Sequence, residues 1–82
     1  MTRPRDLQHD DRITFRHEAL SGRVFRVSDV EVTDIGITET VAVTLLSDGE
    51  SATLTGATAD STFTVEFDGD EYTVFAQRIE LV

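Results

Sequence analysis

The side chains that could do chemistry fall into four sets. Arg12 and Arg16 are four residues apart, and Arg23 and Arg26 follow within ten residues of Arg16. Guanidinium groups fork onto phosphates and carboxylates, so these four together would make a docking patch for a nucleic acid or an acidic partner. His9 and His17 lie near Asp10, Asp11 and Glu18. Two imidazoles and a carboxylate can bind zinc. Asp68-Gly69-Asp70-Glu71 contains part of the oxygen-ligand run of a calcium loop. Ser21 stands four residues after His17, which supplies a hydroxyl and a base.

Spacing removes three of the four. His9 falls in a stretch with no periodicity, and strand geometry holds the two imidazoles apart. The acidic run lacks the ligand spacing of an EF-hand and reads as a hairpin turn, holding salt cations only non-specifically. Ser21 lies across a loop from His17, with no third group to orient the base. The five Gly residues are scattered, so there is no phosphate-cradling loop. No Cys is present, which excludes disulfides, thiolate zinc sites and a Cys nucleophile. The expectation is no enzyme activity, no cofactor and no metal site. Arg12, Arg16, Arg23 and Arg26 remain as candidate contacts for a nucleic acid or a protein partner.

The charge balance frames that choice. Asp and Glu number 16 against seven basic residues, a net charge of −9. All seven bases are Arg, with no Lys, while Thr occurs twelve times. Such a surface repels itself at ordinary ionic strength. At about 1 M salt the Debye length is only ~3 Å and the repulsion is largely screened. The bias resembles that of the acidic proteins of haloarchaea, which implies a high-salt cytoplasm. No apolar run approaches the ~18 residues of a membrane span. The first residues also lack the apolar stretch of a secretory signal, so a cytoplasmic location is expected. The six Arg of residues 1–26 face only four acids, whereas residues 27–82 hold one Arg and twelve acids. The first Arg residues therefore either pair with acids brought close by the fold or stand out as a bare patch.

The elements that must position them are strands. Residues 1–9 show no periodicity and read as a mobile tail, which leaves residues 10–82 as a single domain. Ile13, Phe15 and His17 alternate with Arg12, Thr14 and Arg16. In residues 23–33 the pair Phe25/Val27 is out of phase with Val30/Val32, which predicts a bulge near Ser28-Asp29. Thr33-Asp34-Ile35-Gly36 reads as a turn. Ile37, Val41, Val43 and Leu45 then share a face. Asp48-Gly49 and Asp68-Gly69 are hairpin signals, and Phe63, Val65 and Phe67 form the most regular strand. In residues 71–82 Tyr72 and Val74 are out of phase with Phe75, Ile79 and Leu81, which predicts a bend. The core should comprise Ile13, Phe15, Phe25, Val27, Val30, Val32, Val41, Val43, Leu45, Leu54, Phe63, Val65, Phe67, Val74, Ile79 and Leu81.

Two Asp-Gly turns and no helical periodicity point to an all-β fold. The expected form is a small, strongly bent antiparallel barrel of five to six strands, since closure removes sheet edges. Leu20-Ser21-Gly22-Arg23-Val24-Phe25-Arg26-Val27 resembles the Leu-x-Gly-x-Val-x-x-Val stretch of KOW segments, although Ala19 stands where that family usually has Gly. The resemblance covers residues 13–27 and implies an SH3-like barrel that binds RNA or protein. The sequence thus reads as a non-enzymatic binding or accessory module acting by protein contact or self-association. The alternative is an RNA- or ribosome-associated module using the Arg face.

Overall fold

Alternating apolar and β-branched residues give each strand one face to bury, and short Gly-containing turns leave antiparallel pairing as the local solution. A computed structural model describes residues 2–82. Its strands are β1 (Arg12–Phe15), β2 (Phe25–Ile35), β3 (Thr38–Ser47), β4 (Glu50–Ala57), β5 (Thr62–Phe67), β6 (Asp70–Phe75) and β7 (Ile79–Leu81). They form one antiparallel sheet in the order β6-β5-β4-β3-β2-β1-β7, curled into a nearly closed barrel. All-β barrel architecture is thus as expected, with seven strands in place of five or six. The extra strand arises because residues 71–82 are not one strand. A 3₁₀ turn at Ala76–Arg78 breaks them at the expected bend and carries β7 across to pair with β1.

The tight turns follow their residue types. Asp48 and Gly49 take φ of 50° and 82°, and Asp68 and Gly69 take 55° and 82°. These are the paired left-handed conformations that a two-residue hairpin of right-twisted strands requires. The β2–β3 turn lies at Gly36-Ile37, beyond the Thr33–Gly36 expected, and β2 runs on to Ile35. The predicted bulge is present. Val27 pairs with Leu45 and Asp29 with Thr44, which leaves Ser28 as the extra residue.

The core centres on an edge-to-face chain of rings. Phe15 meets Phe25 at 5.3 Å, and Phe25 meets Phe67 at 5.4 Å between centroids. Thirteen of the sixteen expected core residues are buried, and Leu7, Leu20, Ala52 and Ala76 join them. The exceptions are Val30, which is half-buried, and Val32 and Leu81, which are exposed. Their parity is inward, but Val30 and Val32 lie on the length of β2 beyond β1, and Leu81 ends β7, where little covers them. Residues 1–9, expected as a tail, include a 3₁₀ turn at Pro4–Asp6 whose Pro4 is buried, and Leu7 reaches the core. This segment packs against β2 and β3. Its apolar contacts are isolated residues in a polar stretch, so no periodicity announced them.

Candidate interaction surfaces

The outward positions of β1 carry two of the predicted site residues. Arg12 lies directly across from Arg26 on β2. On the other side Thr14 lies across from Glu80 of β7, and the Arg16 amide donates to the Arg78 carbonyl at 2.8 Å. Arg12, Arg16, Arg26 and Arg78 are all exposed, so one outer face spanning β2, β1 and the β7 end gathers four of the seven Arg residues. Three of the four predicted contacts are therefore together, and Arg78 completes the set.

Arg23 is not on that face. Its guanidinium lies 4.8 Å from the Phe67 ring centroid, with Nη1 3.4 Å from the buried Ser47 hydroxyl and 3.9 Å from Asp48. The chain turns inward between Gly22 and Phe25, which directs Arg23 across the barrel end and not along the sheet. It closes the core beside the Asp48-Gly49 turn. Spacing alone could not separate it from Arg26, because the two differ by direction off the strand.

The Arg face is partly neutralised. Arg26 donates to Asp10 at 2.8 Å, and Arg16 Nε is 3.8 Å from Glu80. Among the described residues Arg12 and Arg78 have no carboxylate within 4.0 Å. Beside this face, Arg16, His17, Glu18, Thr73, Phe75 and Arg78 line an open cleft of about 380 Å³ at the seam between β6 and β1. The His17 and Tyr72 rings meet across the same seam at 5.5 Å. Phe75 is 53% exposed and also borders a second cleft, of about 400 Å³, with Arg3, Pro4, Asp60, Phe63 and Gln77. The sequence reading missed Phe75 as an exposed aromatic beside the Arg residues. Counting alternation from Val74 instead of back from Ile79 would have turned it outward.

The other sets stay dispersed. His9 is exposed, with Nδ1 3.2 Å from Asp10, whereas the half-buried His17 accepts a bond from the Ala19 amide. Among the described residues no three His, Asp or Glu side chains are grouped as a metal site. Asp68 and Gly69 form the β5–β6 turn, and Asp70 opens β6 opposite Phe67.

A second surface emerges from the topology. β1 pairs with β2 only at Phe25 and Arg26, with Asp10 and Asp11 bonding Val27 just beyond. Among the described residues the outer edge of β2 from Asp29 to Ile35 has no neighbouring strand. The tip of the β2–β3 hairpin therefore projects as a short arm, since β4 pairs with β3 as far as Thr40 and Thr58 just beyond it donates to the Glu39 carbonyl. At its tip Ile35 is 69% exposed and Ile37 fully exposed, although Ile37 was expected to share the inner face of Val41. Position in the turn overrides that alternation. At the base of the arm Arg5 pairs with Glu39. The Glu39 carboxyl is held below its usual range, chiefly by Thr58 and further by Asp34 and Arg5, against a desolvation that acts the other way.

Comparison with protein-family models, with curated proteins and with solved structures finds no match to this chain.

Proposed function

We propose that this chain is a non-enzymatic binding module that works by protein contact in a high-salt cytoplasm, with the β2–β3 arm as its contact element. The carrying observation is the arm itself. Two large aliphatic residues, Ile35 and Ile37, stand out at the tip of a hairpin with one open edge. In an acidic surface such residues lower no folding free energy by burial, whereas covering them against a partner removes apolar area from water.

Site-specific photo-cross-linking tests this reading. A photoreactive residue replaces Ile37 in one variant and Thr53, on the outer face of β4, in another. In native extract at high salt, position 37 should give a discrete protein adduct and position 53 none. Equal, diffuse labelling from both positions refutes the arm as a contact.

A second reading has its own support. Among the described residues Arg12 and Arg78 lack carboxylate partners, and Phe75 offers a ring beside Arg16 and Arg78 on which a base could stack. An RNA-associated module would use these residues. Labelled RNA titrated at several salt concentrations should then bind with an affinity that falls linearly in log salt. The slope should shrink by about one for each phosphate-contacting Arg removed. No binding at the lowest salt that keeps the protein folded eliminates it.

A further inference from the structure

Among the described residues the edge of β2 from Asp29 to Ile35 meets no other strand along its seven residues, and Val30, Val32 and Asp34 turn their backbone N–H and C=O groups out along it. The Ser28 bulge ends it on one side and the Gly36 turn on the other. We infer that this edge pairs with the same edge of a second copy of the chain, antiparallel about a two-fold axis through Val32. The inference rests on the protein-contact reading and names its partner.

Symmetry and charge together select the register. A two-fold axis normal to the joined sheet keeps inner faces on the same side, so the central residue must face its own copy. A centre at Asp29, Glu31 or Asp34 sets a carboxylate directly against its own copy. A centre at Val30 sets Asp29 against Glu31. Like charges directly opposite are destabilising. A centre at Ile35 runs out of strand at the turn. A centre at Thr33 opposes no two carboxylates but pairs only residues 31–35, since Val30 then meets Gly36 and Asp29 meets Ile37 in the turn.

The centre at Val32 uses the whole edge. Val32 meets Val32, Glu31 meets Thr33, Val30 meets Asp34, and Asp29 meets Ile35, with no two carboxylates opposed. Val32, 39% exposed on its inward face, and the half-buried Val30 would both gain cover from the second copy. The nearest like charges are then the two Glu31 side chains, diagonal neighbours at roughly 7–8 Å. That separation is about one Debye length at ordinary ionic strength and more than twice the ~3 Å of 1 M salt. Acidic side chains on an open edge normally prevent such pairing. Here they make it conditional: the edge stays apart in dilute salt and pairs when the carboxylates are screened.

Two measurements test this on the full chain. Light scattering of the unaltered protein, from about 0.3 to 3 M KCl, should show the mass double from 9.1 kDa as salt rises. The chain has no Cys, so single substitutions report register cleanly. Paired residues in an antiparallel ladder have Cα atoms about 4.5–5.5 Å apart, within disulfide reach. Oxidation of Val32→Cys in high salt should give a covalent dimer in high yield, while Thr33→Cys should give several-fold less. A monomer at every salt concentration overturns the proposal, as does faster cross-linking through Thr33→Cys than through Val32→Cys. If self-pairing fails while position 37 still captures a discrete partner, the arm remains a contact element for a different protein. If both fail, the protein-contact reading falls with it.

Discussion

At the scale of single residues, burial separates side chains that look alike in the sequence. Phe15 and Phe75 are both strand aromatics, yet Phe15 is enclosed by Phe25 and the core while Phe75 stands at the seam. Phe15→Ala should cost about 3–5 kcal/mol, comparable with the total stability of a small domain. A thermal melt reads this directly, and a loss of only a few degrees would show that Phe15 is dispensable to the core. The Arg residues divide in the same way. Arg23 lies over Phe67 and reaches the buried Ser47, so Arg23→Gln removes a cation–π contact and a hydrogen-bond donor and should cost about 1 kcal/mol. Arg12 is exposed with no carboxylate beside it among the described residues, and Arg12→Gln should change stability by no more than about 0.5 kcal/mol. Denaturant midpoints of the two variants compared side by side check the difference, and equal midpoints would remove Arg23 from the core's support.

At the scale of elements, the turns and the bulge were legible because each depends on a few adjacent residues. Asp48-Gly49 and Asp68-Gly69 set both neighbouring hairpins, and the phase change between Val27 and Val30 marked the extra residue at Ser28. What local pattern could not report is close approach between distant elements. Gly56, in β4, is such a place. A Cβ there would sit 2.6 Å from the Phe63 ring, which is itself buried and has little room to withdraw. Gly56→Ala should therefore destabilise the barrel by about 1–3 kcal/mol, as overpacking does, even though Ala suits a strand no worse than Gly. Chemical denaturation tests this, and a midpoint equal to or above that of the parent would mean that Phe63 can yield. The N-terminal segment makes the same point. Pro4 and Leu7 pack against the barrel because of the surface that β2 and β3 present, and nothing within residues 1–9 predicts that surface.

At the scale of the whole molecule, charge is the dominant property. A net −9 is spread over 5178 Å² of accessible surface, and among the described residues only a few carboxylates have an Arg partner. Exposed pairs of this kind each contribute only about 0–1 kcal/mol, too little to offset the collective repulsion. The melting temperature should therefore rise steadily from about 0.1 to 3 M KCl as that repulsion is screened. Circular dichroism melts across the range check it, and a flat profile would remove the case for a high-salt environment. The sequence by itself determined the all-β class, the hairpins, the bulge and most of the core, because alternation and turn chemistry are local and the same wherever the strand lies. It also determined the charge and the sharing of one strand face by Arg12 and Arg16, since residues of one parity along a strand point the same way, whereas the pairing that sets Arg26 across from Arg12 belongs to the tertiary structure. Only the tertiary structure decided that Arg78 joins them and Arg23 departs, because one arrives through closure by β7 and the other leaves through a loop. Only it decided that Val32, Ile35 and Ile37 are uncovered, because alternation says which way a side chain points and not whether anything lies opposite.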